Sequence, residues 1–207
     1  STQWLLQQGF VPERTLYLAF GDDEEVQGYG GAGTIAEQLE AAGVQAELVL
    51  DEGGGVVRGL VGGIDPERPV AMIAVAEKGY LSLDLVVEGS GGHAAAGPRE
   101  NPILVLAEAL RRSEAKPFPA VLQEPVPSLL TGLGTGMGFW KRFVFSNLWL
   151  TGGVTTRVLQ GDPETEAMIR TTVSITRFSS GVQGNVIPGR ATAVANIRLL
   201  PGWTIQR

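Results

Sequence analysis

The pattern of apolar residues changes character near Lys78-Gly79, and that change restricts the chain to two kinds of layer. Before it, Thr15 to Phe20 (TLYLAF), Ala46 to Leu50 (AELVL) and Val70 to Ala76 are short apolar runs, the form of strands buried on both faces. Gly31 to Ala42 lies between the first two, with Ile35 and Leu39 at helical spacing and Gly43 where a helix stops. Strands separated by helices predict a mostly parallel sheet over residues 1–78. After the change, Leu81, Leu83, Leu85 and Val87 alternate with polar Ser82, Asp84 and, beyond them, Glu88, which predicts a strand with one buried face. Asn101-Pro102 predicts a helix start, with Ile103, Leu104, Ala107 and Leu110 as its apolar stripe. The proline-rich stretch 113–128 reads as a loop, and helices are expected over 128–134 and 138–147. Arg170 to Phe178 and Ala191 to Leu199 read as paired strands joined across Gly181 to Gly189. The expected fold is therefore α/β, a partial parallel-rich sheet with helices over 1–78, followed by an α+β region with an antiparallel sheet over 79–207.

Composition removes several classes of function. Acidic side chains outnumber basic ones, 22 to 16, and the net charge of −6 argues against a nucleic-acid partner. No run approaches the roughly 18 apolar residues of a membrane span. There is no cysteine, which excludes disulfides and thiolate metal sites. His93 is the only histidine, so any site that needs two must take one from elsewhere.

Two acidic stretches follow the first two predicted strands: Gly21-Asp22-Asp23-Glu24-Glu25 and Leu50-Asp51-Glu52-Gly53. Carboxylates at the carboxyl ends of neighbouring parallel strands converge on one crevice and repel one another unless a cation holds them. Adjacent residues of an extended chain point to opposite sides, so Glu24 and Glu25 can take different tasks, one on a metal and one on a proton. The same acidic run also fits a solvated loop. His93 lies in Ser90-Gly91-Gly92-His93-Ala94-Ala95-Ala96-Gly97-Pro98, a glycine-flanked loop between a strand and a helix, where functional side chains tend to sit. Gly184-Asn185-Val186-Ile187-Pro188 reads as a turn, and Arg198 as a surface arginine on a strand.

Taken in order, AFGDDEEVQGYGGAGTIAEQLE, LVLDEGGG, PVAMIAVAEKGYLSLDLVVEGSGGHAAAGP, FSNLWL and AMIRTTVSITRFSSGVQGNVIPGRATAVANIRLLPG resemble the carboxypeptidase S and aminoacylase family of di-zinc exopeptidases. The resemblance is closest to the branch that holds yeast-type carboxypeptidase S and the secreted N-fatty-acyl-amino-acid synthase/hydrolase, and it spans nearly the whole chain. It implies that 1–78 is part of a zinc-peptidase catalytic domain and that 79–207 is a lid, or dimerisation, domain that is incomplete at its C-terminal end. It implies a metallohydrolase that cleaves an amide bond of peptides or N-acyl amino acids. Glu24 resembles the general base, Glu25 the carboxylate ligand of one zinc and Asp51 that of the other. His93 resembles the lid histidine that polarises the scissile carbonyl, often in a partner subunit, and Asn185 the lid asparagine that contacts substrate. Arg198 falls in a strand motif of the family and is taken as a further substrate contact.

The chain departs from the family pattern at its metal ligands. The family's His-x-Asp segment and bridging aspartate are expected before residue 1, and its last metal histidine after residue 207. Two zinc ions are therefore expected in an intact parent, no tight zinc site and no catalysis in this stretch alone, and unpaired sheet edges where flanking strands are missing. A homodimer through the lid is the expected assembly. The competing readings are an association module without catalysis and a degenerate binding protein. The sequence fixes no compartment; an extracytoplasmic bacterial one, periplasmic or secreted, is the expectation it leaves open.

Overall fold

The computed structural model describes residues 2–26, 28–97 and 100–206, which divide into two units, Ser1–Glu52 and Gly53–Arg207. In the first unit, α1 (Thr2–Gln7) is followed by a single 3-10 turn over Glu24–Val26 and a wide helical turn over Tyr29–Gly33, which runs into α2 (Thr34–Ala41). The helix expected over 31–42 is thus present, and Gly43 ends it at φ +70°, its amide donating to the Glu40 carbonyl.

The two strands expected at 15–20 and 46–50 do not form. Their side chains face solvent, Phe20 at 84% and Leu50 at 90% exposure. A strand of a parallel sheet is stable only between hydrogen-bonded neighbours and beneath covering helices, and these segments have neither among the described residues. Of the run 70–76, only β2 (Val70–Met72) pairs, and it does so antiparallel with β1 (Gly55–Val57). The mixed α/β class holds, but every strand-to-strand ladder among the described residues is antiparallel.

The second unit is built on three long strands, β3 (Gly79–Glu88), β5 (Thr172–Ser180) and β7 (Arg190–Leu199), in the order β3-β7-β5. Between them in sequence come the two-residue strands β4 (Gly92–His93) and β6 (Val186–Ile187), which pair with each other. The alternation in β3 works as expected. Leu81, Leu83, Leu85 and Val87 stand opposite Ile197, Ala195, Ala193 and Ala191, so they share the face that meets α3 (Pro102–Glu114). Ala191, Ala193 and Ala195 are buried, and their small side chains let Leu106 of α3 descend close to the sheet, where Leu85, Val87, Ile103 and Leu110 complete the core.

Asn101 caps α3 as expected, its Oδ1 accepting from the Ile103 amide at 3.0 Å. The buried face of the helix differs from the expected stripe: Pro102, Ile103, Leu106 and Leu110 turn inward, while Leu104 and Ala107 are exposed. Four further helices form a satellite bundle: α4 (Val126–Gly134), α5 (Phe139–Ser146), α6 (Leu148–Leu159) and α7 (Pro163–Ile169). Val126, Leu130 and Ile169 form its centre, with Leu122, Phe145, Leu148 and Leu159 around them.

Lys78 staples the bundle to the sheet. Its Nζ donates to the carbonyls of Ala167 and Arg170 at 3.0 and 2.8 Å and to Thr172 Oγ1 at 3.1 Å. Burial, and secondarily the charge of Arg198, pushes the ammonium below its usual pKa. Gln123 adds two bonds from the other side, donating to the Pro201 carbonyl at 2.8 Å and accepting from Trp203 Nε1 at 3.3 Å.

Two substitutions test this frame by urea melts. Ala193→Leu overfills the contact between β7 and α3 and is expected to cost about 1–3 kcal/mol. Lys78→Met leaves three acceptors unpaired and is expected to cost about 2 kcal/mol. Midpoints equal to the parent's contradict both assignments.

Candidate functional site

In the first unit the acidic loop is organised by Asp23, which the sequence reading did not single out. Its Oδ2 accepts from the Gly30 amide at 2.7 Å and its Oδ1 from the Gly31 amide at 2.9 Å. Its carbonyl accepts from the amides of Val26 and Gly28 at 3.1 and 2.9 Å. A Cβ at position 31 would overlap Asp23 Oδ1, and one at position 21 would stand 3.2 Å from the Ala32 amide nitrogen. The glycines of GYGGAG, spaced just after the acidic run, are the sequence signal that a carboxylate folds back onto main-chain amides there.

Glu24 and Glu25 sit together on the 3-10 turn that Asp23 fixes, both exposed. On such a turn consecutive side chains diverge by about a third of a revolution, rather than to opposite sides as in the extended chain expected from sequence. Asp51 is exposed as well, and its Oδ1 accepts from the Glu52 amide at 2.8 Å.

Among the described residues, no three His, Cys, Asp or Glu side chains gather to hold a metal ion. Glu25 and Asp51 have the right donor atoms for zinc, one position each, but a tetrahedral site takes four donors.

The second unit brings His93 and Asn185 together. His93 stands opposite Val186 in the β4–β6 pair, and the Ala94 amide donates to the Asn185 carbonyl at 3.0 Å. Both lie beyond the Glu88–Arg190 end of the three-stranded sheet. Glycines permit the close crossing: the Gly89 amide donates to the Gly189 carbonyl at 2.8 Å, and a Cβ on Gly89 would lie 2.8 Å from Pro102 Cγ. Gly91 holds φ +62° with its Cβ position 3.1 Å from the Ile187 carbonyl oxygen.

His93 also caps the short turn Ala94–Ala96, its Nδ1 accepting from the Ala95 amide at 3.2 Å. That bond settles the chemistry of the ring. With Nδ1 an acceptor, the neutral imidazole carries its proton on Nε2, which becomes its hydrogen-bond donor. The side chain is exposed, so that donor is available to a ligand.

Arg198 is not part of this cluster. It lies near the other end of β7, between Tyr80 and Thr172 on the flanking strands. Its guanidinium rests 4.8 Å from the centroid of the Tyr80 ring, and its Nε donates to Asn196 Oδ1 at 3.2 Å. The eight-residue step from Arg190 to Arg198 corresponds to about 27 Å of strand.

A family profile described as peptidase dimerisation domain matches residues 75–207. An N-fatty-acyl-amino acid synthase/hydrolase of Xenopus tropicalis is 39% identical over 207 residues, 100% of this chain and 40% of that protein. A protein of Dictyostelium discoideum named probable carboxypeptidase S-like 2 is 38% identical over 205 residues, 98% of this chain and 39% of its own length. The chain thus spans about 40% of the length of the curated relatives it matches. The profile covers well over half of the sequence, including the β3-β7-β5 sheet, α3 and the His93–Asn185 cluster; the chain belongs to the peptidase dimerisation domain family.

Proposed function

We propose that this chain is part of a zinc-dependent hydrolase that cleaves the amide bond of a peptide or an N-acyl amino acid, with residues 1–78 contributing to its catalytic domain and 79–207 forming its lid. The observation that carries this reading is the end-to-end match: relatives named N-fatty-acyl-amino acid synthase/hydrolase and probable carboxypeptidase S-like 2 align with 98 to 100% of the chain, acidic loops and lid alike. The start of the dimerisation profile at residue 75 supports a functional boundary near residue 78.

In this reading Glu25 holds one zinc ion and Asp51 the other, each supplying one carboxylate. Bound zinc would supply Lewis-acid polarisation and a lowered pKa for water. Glu24 takes the proton of the attacking water and returns it to the leaving amine. It is placed for this task by Asp23, whose carboxylate fixes the turn on which Glu24 and Glu25 stand. His93 donates from Nε2 to the oxygen that becomes negative as the carbonyl is attacked, and the Ala95 amide keeps the ring in the tautomer this requires. Asn185 contacts the bound substrate beside it.

The position of Arg198 then acquires a meaning. About 27 Å along one strand is too far for a single small substrate to touch Arg198 and Asn185 of the same protomer. The two meet one substrate only when they come from different subunits, which links substrate binding to dimerisation. The unpaired edge of β5 is the surface we assign to that pairing. Beside it lies a groove of about 820 Å³ between α3 and β5, lined by Leu110, Phe118, Val173, Ile175 and Phe178. An antiparallel pairing of β5 with its copy would satisfy the open edge and cover the groove.

Two experiments check the proposal. In the full-length protein, Glu24→Gln is expected to lower kcat by about 100-fold to 10,000-fold on N-acyl amino acids or dipeptides, with zinc content unchanged by mass spectrometry. Unaltered kcat removes Glu24 from the mechanism. Ile175→Lys is expected to turn a dimer into a monomer in sedimentation and to raise KM as Arg198 and Asn185 are separated. A dimer that survives this change does not use β5. A monomer of unchanged activity rules out sharing of the substrate between subunits.

A further inference from the structure

Helices α5 and α6 carry a surface that neither core uses. On α5, Phe139 and Trp140 are 71% and 76% exposed, and the neighbouring Phe143 is exposed as well. Their rings gather outside the fold: Phe139 meets Trp140 edge-on at 5.2 Å and stacks with Phe143 at 6.5 Å. On α6, Thr155 turns inward while Trp149, Leu150, Gly153, Val154, Arg157 and Val158 turn outward, a single helical face whose members recur every three to four residues. Trp149 is 84% exposed.

The corner between the helices is locked. Asn147 Nδ2 donates to the Phe143 carbonyl at 2.7 Å, and Thr151 Oγ1 donates to the Val144 carbonyl at 2.7 Å. The two exposed faces therefore belong to one rigid element.

Charge is segregated on the same element. Residues 125–161 contain Lys141, Arg142 and Arg157 and no aspartate or glutamate, in a chain whose net charge is −6. Lys141 Nζ donates to the Gly62 carbonyl at 3.1 Å. Among the described residues, no carboxylate pairs with any of the three.

A solvent-facing helix normally turns polar side chains outward. One that turns tryptophan, phenylalanine and leucine outward beside lysine and arginine, without acids, has the composition of a helix that lies in the boundary of a bilayer. We propose that the α5–α6 face docks on an anionic lipid surface, the aromatic and aliphatic side chains entering the acyl boundary and the three basic side chains meeting the headgroups.

A second copy of the chain is a poorer occupant. A two-fold contact through this face would set Lys141, Arg142 and Arg157 of one protomer against the same three cations of its partner. Phosphate-bearing lipids complement those charges instead. The inference is independent of the hydrolase reading, since it involves none of the residues assigned to catalysis.

Flotation of the full-length protein with vesicles tests it, using phosphatidylcholine alone and phosphatidylcholine mixed with phosphatidylserine. Binding is expected to the mixed vesicles, to weaken with salt, and to be far weaker on phosphatidylcholine alone. Arg142→Glu combined with Arg157→Glu should reduce binding to the mixed vesicles at least about 25-fold, on the basis of about fivefold for each basic side chain near an anionic surface. Trp140→Ser combined with Trp149→Ser should reduce it by about tenfold or more, while circular dichroism shows the helices intact. Absence of binding to either vesicle overturns the proposal. So does binding that both double variants leave unchanged, or a dimer that the tryptophan variant dissociates, which would make the face a protein contact.

Discussion

Everything in the second unit depends on β7 being a strand of small residues at its buried positions. Ala191, Ala193 and Ala195 alternate along it and are almost fully buried. They leave room for Leu106 of α3 while the strand pairs with β3 on one side and β5 on the other. A larger side chain at any of them would lift the helix or part the strands. Because β7 is central, both of its ends are held in register. One end leads back to Asn185 and His93, and the other carries Arg198. The strand is in effect a ruler that keeps two candidate substrate contacts apart.

The residues assigned to chemistry lie outside both hydrophobic cores, on turns that hydrogen bonds shape. The same device appears twice. Asp23 spends its carboxylate on the amides of Gly30 and Gly31, which leaves the next two glutamates on a defined turn. His93 spends Nδ1 on the amide of Ala95, which leaves Nε2 as its donor. In each case a side-chain polar atom accepts from nearby backbone amides and so orders the turn that carries the candidate group. Preorganisation of this kind is what electrostatic catalysis requires, since the donor or base need not be oriented during the reaction.

The antiparallel half of the fold was legible because its signals are local. The alternation in β3, the Asn101-Pro102 start of α3 and the pairing of β5 with β7 follow from period and capping. The apolar runs at 15–20 and 46–50 misled because a buried strand is defined by neighbours that periodicity does not reveal. Helix α6 went unread because Gly152-Gly153 and the β-branched Thr151, Val154, Thr155 and Thr156 depress helix propensity, and packing of Leu148 and Leu159 overrides it. For the site, sequence identified the loops but not the orientation within them. The role of Asp23, the tautomer of His93 and the separation of Arg198 from Asn185 are all consequences of three-dimensional hydrogen bonding and register.

The central claim is that Glu25 and Asp51 each take one of two zinc ions, with Glu24 beside them. Anomalous diffraction at the zinc edge, from crystals of the full-length protein grown with a substrate analogue, tests this most directly. The account predicts two zinc peaks, one on the Glu25 carboxylate and one on Asp51, with His93 Nε2 within hydrogen-bond distance of the analogue's oxygen. Zinc held without either carboxylate, or an analogue bound away from all three residues, would contradict it.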